Sequence, residues 1–319
     1  MEKLKIGIWG SGLIVPEFTR AAKESGKYEF EAILGRIQSK EKVSELAKSE
    51  GIKKVYFDEN DFLADMDIQV IYVALPNSLH YAAAKKVILA HKHAIVEKPF
   101  TSNFSEAQEL IETAKKMGVF VFEAVAPLFM PNFAKIKEII PSLGKIKIVS
   151  INYSQYSRRY ERFKAGETPA VFDPKLSGGA LMDLGVYNLH FVVALFGEPK
   201  EAKYYPNIER DIDTSGIMIL QYENFVCTLI AAKDCSSPCN ICVQGDLGYI
   251  YSASPANILE SFIYKQNNGS EKSISENQKD RMTYELETFH KIITEQQTQE
   301  FKNLSAQSLI VQKLLDTRL

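Results

Sequence analysis

Lys5-Ile6-Gly7-Ile8-Trp9-Gly10-Ser11-Gly12-Leu13-Ile14-Val15-Pro16 decides how the first part of this chain folds. A short apolar run of strand type ends in Gly10-Ser11-Gly12 and passes at once into a segment with helical spacing. A strand that turns this tightly into a helix suits a dinucleotide pyrophosphate. Glycines let the backbone approach the phosphates, and the helix N-terminus faces their charge. Gly10, Gly12, Leu13 and Ile14 are the candidate pyrophosphate residues. Val15 stands where the third glycine of the usual fingerprint would fall, so the turn alone is also compatible with an ordinary strand–turn–helix.

Outward from that turn, the first 120 or so residues alternate strand-like and helix-like segments, the pattern of a parallel sheet covered on both faces. Strands are expected at 4–9, 29–34, 54–57, 69–74, 93–97 and 119–122, and helices at 14–25, 39–50, 79–91 and 104–117. After residue 125 the texture changes. Segments rich in Tyr, Ile, Val and Thr at 146–156, 201–206, 214–221, 225–232, 240–252 and 257–264 predict a largely antiparallel sheet. Helices are expected near 131–140 and 179–196, a loop over 266–280, and closing helices at 281–296 and 304–317. The fold class is therefore α/β: a doubly wound Rossmann domain over 1–123, then a domain with a large, mostly antiparallel open sheet over 124–319. A cleft is expected between them.

The bulk properties remove several function classes. With 319 residues, 45% hydrophobic and 24% charged, the chain is long enough for two ordinary cores. A net charge of −2 gives no reason to expect nucleic acid or an anionic membrane as partner. No apolar run reaches the roughly 20 residues of a membrane span. Met1-Glu2-Lys3-Leu4-Lys5 leads straight into a strand, which argues against a signal peptide and for the cytoplasm. Cys227, Cys235, Cys239 and Cys242 cluster without the paired C-x₂-C spacing of structural zinc sites and without a nearby histidine. Reduced thiols and no metal are expected.

Several positions at expected strand ends carry chemistry. After the second strand, where an acidic residue usually holds the adenosine ribose, the chain reads Gly35-Arg36-Ile37-Gln38-Ser39-Lys40. Arg36 can pair bidentately with a 2′-phosphate and Lys40 adds a second positive charge, which favours NADP over NAD. The alternative is a solvated Arg36 that stacks on adenine and suits either cofactor. The fourth strand ends in Leu75-Pro76-Asn77-Ser78-Leu79-His80. Leu75 and Pro76 would abut the cofactor, Asn77 would cap the next helix, and His80 falls in its first turn, a place more often structural than catalytic.

The fifth strand ends in Glu97-Lys98-Pro99, which is hard to explain as core. A lysine near a nicotinamide can have its pKa lowered by desolvation or can donate to a substrate hydroxyl, with Glu97 orienting it. A solvated ion pair at a strand end is the plainer alternative. In the second half, Asp183, Tyr187 and His190 fall on one face of the helix that follows Gly178-Gly179. An acid, a phenol and an imidazole on an otherwise apolar helix suggest either a polar site or a set of interdomain hydrogen bonds.

The ordered set of G-x-G, P-N-x-x-H, E-K-P and G-G-x-L-x-D-x-G-x-Y resembles the Gfo/Idh/MocA family of NAD(P)-dependent oxidoreductases over nearly the whole chain. The resemblance implies hydride transfer between nicotinamide and the carbinol carbon of a small polyhydroxylated substrate: a sugar, polyol or cyclic diol. It implies Lys98 as the catalytic lysine and Asp183 as the residue that binds substrate and orients the reacting hydroxyl. Tyr187 stands where the inositol-dehydrogenase branch has a histidine. That departure resembles the branch holding glucose–fructose oxidoreductase, D-xylose dehydrogenase and trans-dihydrodiol dehydrogenase, whose members commonly use NADP.

A homodimer or larger homo-oligomer through the open sheet is likewise implied. Many relatives carry an arginine after the sixth strand, where this chain has Ala126-Pro127-Leu128-Phe129-Met130-Pro131. Arg158, Arg159 and Arg162 are candidates to line the pocket or to be surface charges. Two other readings stay open: a non-catalytic dinucleotide-binding sensor, and a double-bond reductase of the biliverdin reductase type.

Overall fold

Short β-branched runs bounded by helix stops build the first sheet, and each closely follows its sequence pattern. In the computed structural model, which describes residues 2–318, β1 (Leu4–Trp9), α1 (Ile14–Ser25), β2 (Tyr28–Leu34), α2 (Lys40–Glu50) and β3 (Lys54–Tyr56) come first. Next are α3 (Glu59–Ala64), β4 (Val70–Val73), α4 (His80–Leu89), β5 (His93–Glu97), α5 (Phe104–Met117) and β6 (Val121–Ala124). Helices α1, α2 and α5 each stop at a left-handed glycine, Gly26, Gly51 and Gly118, whose lack of a Cβ suits that conformation. The unanticipated short α3 has a legible start: Asp58 accepts from Asn60 N (2.8 Å) and Asp61 N (3.1 Å).

The six strands are parallel in the order β3-β2-β1-β4-β5-β6. The order reverses beside β1, so the carboxyl ends of β1 and β4 flank the switch point at which open α/β sheets bind ligands. Buried Phe18 on α1 stacks on Tyr72 of β4, with ring centroids 3.7 Å apart, and fixes helix to sheet just behind that point.

The second unit begins with α6 (Pro131–Ile139), β7 (Ile146–Ser154), the short α7 (Tyr160–Lys164) and α8 (Val186–Phe196). A π-helical turn, Leu181–Gly185, leads directly into α8. Strands β8 (Glu201–Glu209), β9 (Ile212–Gln221), β10 (Val226–Ala232), β11 (Asn240–Gly245), β12 (Gly248–Ser252), β13 (Phe262–Gln266) and β14 (Glu271–Ile274) complete a sheet ordered β14-β13-β12-β11-β7-β10-β9-β8. Every pairing in it is antiparallel except β7 with β10. Alternation sets its two faces: Val149, Ile151, Leu229, Ala231, Met218 and Leu220 are buried, whereas Ile148, Val226 and Ile217 point outward.

Two expectations need correction here. The stretch 266–280 is not all loop, because Glu271–Ile274 pairs with β13; its polar sequence hides an edge strand. Helix α9 (Arg281–Thr294) and much of α10 (Thr298–Leu315) do not belong with the second sheet. The compact units are 1–124 with 282–309, and 125–281 with 310–319. Phe289 stacks on Phe122 of β6 at 4.4 Å between centroids, and Phe301 meets Phe120 and Phe122 edge-on. These contacts tie both helices to the first sheet.

The apolar stretch Pro174–Phe196 is, against expectation, long and apolar enough to pass for a membrane span, yet 72% of that window is buried within the protein. Hydrophobic burial against its own sheet explains the composition.

Candidate active site

The turn after β1 is built as a cradle. Gly10 N donates to the Leu34 carbonyl (3.0 Å) and Ala74 N donates to the Trp9 carbonyl (2.9 Å), drawing three chain segments together. Gly10 has φ +125°, and a Cβ there would overlap the Ala74 carbonyl oxygen. Only glycine serves at that position. Gly12 differs: its φ is ordinary, and a Cβ would find only the Ala74 oxygen at 4.0 Å. No packing within the protein demands a glycine there, whereas close approach of a phosphate does. Leu13 at the N-cap of α1 makes no side-chain cap. Val15 N already donates to the Gly12 carbonyl (3.2 Å) and Pro16 has no N–H, so among the first three helical residues only Ile14 has an N–H to offer an anion. Val15, in the place of the third glycine, is fully buried.

Past β2, Arg36 and Lys40 are exposed, and no acid stands among residues 35–40. The Arg36 side chain makes no ion pair among the described residues. Leu75 is half-buried and Pro76 exposed at the end of β4. Asn77 does not cap α4. It opens a 3₁₀ turn, Asn77–Leu79, ahead of that helix, and α4 starts without a side-chain cap. Taken together, the residues present fit an NAD(P) molecule: a backbone cradle for the pyrophosphate, then two cations where a 2′-phosphate would lie.

The loop after β5 is held from three sides. Tyr72 donates to Glu97 Oε1. Phe100 N donates to Glu123 Oε1 (3.0 Å), from a carboxylate on neighbouring β6. The His80 ring nitrogens lie 2.8 Å from the Pro99 and the Leu75 carbonyl oxygens. A neutral imidazole has only one N–H, so it donates to one of these carbonyls at a time. Burial pushes the His80 pKa down, and these two carbonyls pull it back. His80 is fully buried, so it ties the β4 and β5 loops together and presents no surface to a ligand. Lys98, half-buried between these anchors, is thereby fixed in position.

In the second unit, the apolar run from Gly178 to Val193 is buried at every residue except Asp183 and Tyr187, which are half-buried. Over residues 178–193, an acid and a phenol are thus the only side chains that reach the surface. His190, expected on the same face, is 1% exposed. It lies one regular turn beyond Tyr187 in α8, where the helix is buried all round, with Leu189 and Phe191 at 0% and 1% exposure.

That turn is pinned by a residue the sequence reading did not single out. Asp213 on β9 accepts from Leu181 N (2.8 Å) and from Tyr204 OH (2.7 Å) through Oδ2. Burial pushes the Asp213 pKa up, and these two donors pull it back. Gly179 lies against the same carboxylate with φ +109°, leaving no room for a Cβ.

Asp183 pairs with Lys233, which follows β10 and was likewise missed. Nothing local marks either partner, since they stand 50 residues apart. Tyr187 packs on Tyr153, Ala180, Leu184 and Ala231. Arg158, Arg159 and Arg162 are all exposed, and Arg162 pairs with Glu167. Among the described residues, no group of three or more His, Cys, Asp or Glu is arranged to hold a metal, and all four cysteines are free.

Comparison with known proteins shows the family and the fold. Residues 4–125 match the model of an oxidoreductase family with an NAD-binding Rossmann fold, and residues 133–251 match the GFO/IDH/MocA C-terminal domain. The scyllo-inositol 2-dehydrogenase (NADP⁺) IolU of Bacillus subtilis is 31% identical, covering 98% of this chain and 95% of its own. The uncharacterised oxidoreductase YgjR of Escherichia coli is 36% identical over 77% of this chain and 74% of its own. The trans-1,2-dihydrobenzene-1,2-diol dehydrogenase of Bos taurus is 27% identical over 72% and 69%. Among solved structures, a 3-ketoreductase from Actinomadura kijaniata superposes with a TM-score of 0.84 at 18% identity, over 99% of this chain and 96% of that one. A levoglucosan dehydrogenase complex does so with 0.84 at 16%, over the same shares. These two likenesses establish the fold.

Proposed function

We propose that this chain, which belongs to the Gfo/Idh/MocA family of NAD-binding oxidoreductases, oxidises or reduces the carbinol carbon of a sugar, polyol or cyclic diol with NADP(H). The observation that carries the reading is the Lys98 loop: one lysine at the carboxyl end of a parallel strand, anchored by Tyr72, His80 and Glu123. The names of its relatives, an NADP⁺-dependent inositol dehydrogenase and a cyclic-diol dehydrogenase, support both the substrate class and the cofactor. Gly10, Gly12, Leu13 and Ile14 would cradle the pyrophosphate, and Leu75, Pro76 and Asn77 would flank the cofactor beyond it. Glu97 holds the Lys98 loop, through which it bears on the same site. When bound, the nicotinamide accepts or supplies the hydride.

The chain's own residues do the rest. Lys98 Nζ takes the hydroxyl proton on oxidation and returns it on reduction, the work of a positioned general acid–base. Tyr187 shares that proton through its phenol. Asp183, already paired with Lys233, accepts a hydrogen bond from the neighbouring substrate hydroxyl and remains a carboxylate. The test is a panel of sugars, polyols and cyclic diols offered with NADP⁺ and with NAD⁺, followed by the near-ultraviolet absorbance of the reduced nicotinamide. Turnover confined to hydroxyl substrates supports the reading; saturable cofactor binding with no turnover on any of them favours a sensor.

Arg36 gives the cofactor preference its own test. Arg36→Ala should weaken NADPH binding about 10- to 100-fold, matching the roughly 1.5–3 kcal/mol of a charge-assisted hydrogen bond. NADH binding should change less than about threefold. Trp9 is the only tryptophan and precedes the turn, so its fluorescence reads both titrations. Equal losses for the two cofactors would place Arg36 on the adenine instead.

A homo-oligomer formed through the outward face of the second sheet is part of this proposal. Tyr205, Ile217, Val226 and Ile148 stand on that face of adjacent strands and are 37–51% exposed. An outward sheet face that carries these exposed apolar side chains among polar ones such as Lys203, Gln221 and Thr228 would be covered by a partner, here a second copy of the chain. Light scattering should give at least a dimer, and Ile217→Glu should shift it to monomer; a wild-type monomer would remove the assembly from the proposal. Four free cysteines favour a reducing, cytoplasmic setting.

A further inference from the structure

Lys233 is the unusual residue of the second unit. Its side chain is only 5% exposed, although a lysine is among the side chains least often buried. The ammonium lies beside the Asp183 carboxylate and 5.6 Å from the centre of the Phe172 ring, which is itself fully buried. Its backbone is fixed as well, with Lys233 N donating to the Thr214 carbonyl (2.8 Å). Charge taken so far from water requires a counter-charge, and Asp183, with 28% of its side chain exposed, provides it.

The other charged and titratable groups on elements packed against the π turn are identifiable. Asp213 on β9 is engaged with Leu181 N and Tyr204 OH. Tyr153 comes from β7, and Tyr187 and His190 come from α8. Arg318 donates to Met182 Sδ (2.8 Å). Asp234, the residue after Lys233, accepts from Thr214 and Ser215 hydroxyls (2.7 and 2.9 Å).

We propose that Lys233 is a positioning residue: its buried ammonium holds Asp183 as an oriented carboxylate, leaving the exposed part of that carboxylate to accept a substrate hydroxyl. The ion pair makes Asp183 a fixed acceptor, so proton transfer falls to other groups. This assignment rests on the substrate role given to Asp183 above, but its first test does not require turnover.

The full-length protein is labelled with ¹³C at aspartate carboxyls, the Asp183 signal is assigned with Asp183→Asn, and its titration is followed by NMR. Lys233→Met should move the Asp183 titration up by at least one pH unit, a tenfold rise in proton affinity. Lys233→Arg should keep it within about 0.3 unit of wild type. With a substrate from the panel, the acid limb of the kcat/KM profile should move upward by the same amount in Lys233→Met and stay in place in Lys233→Arg. NADPH binding, read at Trp9, should be unchanged in both and shows that the variants are folded.

An Asp183 titration in Lys233→Met that stays within about 0.3 unit of wild type overturns the proposal. So does a Lys233→Arg titration that follows Lys233→Met. Failure of the wild type to turn over any hydroxyl substrate would instead refute the catalytic reading, and it leaves the NMR result readable.

Discussion

Lys98→Ala should lower kcat by about 10²–10⁴-fold, the range a positioned acid–base contributes, while NADPH binding stays within about twofold. The loop explains the separation of the two effects. Glu97, Pro99 and Phe100 are each held by a different side chain, from Tyr72, His80 and Glu123. Truncating Lys98 therefore leaves the backbone of the loop in place. Little packing is lost either, since the side chain is only half-buried. Steady-state kinetics and a Trp9 titration on the same preparation check both halves. Turnover within threefold of wild type would remove Lys98 from the chemistry.

Gly10→Ala should be severely damaging for a change of one methyl group. A non-glycine residue forced to φ +125° costs about 1–3 kcal/mol in backbone strain alone. The new Cβ would also overlap the Ala74 carbonyl oxygen, so β1 and β4 must move apart at the switch point. A total of about 3 kcal/mol or more is a large share of the 5–15 kcal/mol that typically holds a domain together. Denaturant unfolding should register that loss, and NADPH binding should weaken by at least about 100-fold because the cradle itself is displaced. Gly12→Ala is the informative contrast. Its Cβ meets only open space and a distant oxygen, so stability should be nearly unchanged while cofactor binding weakens. Equal stability and binding in Gly10→Ala and wild type would contradict the account of the turn.

Much of the first unit was legible because its signals are local. The strand–glycine–helix run at β1, the left-handed glycines after α1, α2 and α5, and the Glu97-Lys98-Pro99 strand end are all written in neighbouring residues. The partners that give these motifs their geometry are not. Tyr72 reads as one more apolar strand residue, yet it orients Glu97; Glu123 sits in a β6 that looks like core. Lys233 and Asp213 fix the Asp183 turn from other strands, and no spacing rule connects them to it.

The π turn was hidden for a related reason, since hydrophobic periodicity assumes a 3.6-residue winding. The burial of His190 was hidden because α8 is packed on all sides there. Amphipathicity likewise announced that α9 and α10 bury a face, without saying that Phe289 and Phe301 would bury it on Phe122. Edge strand β14 escaped because Glu271–Ile274 is polar and mostly exposed, as edge strands often are.

The central claim is hydride transfer from a carbinol carbon to the nicotinamide, and an isotope label tests it most directly. The panel substrate turned over fastest is deuterated at its carbinol carbon and incubated with the enzyme and NADP⁺, and the reduced cofactor is analysed by mass spectrometry. The account predicts one deuterium per reduced cofactor, with at least about 100-fold less formed by Lys98→Ala in the same time. Reduced cofactor that carries no deuterium, with the label left on substrate or lost to water, would contradict it.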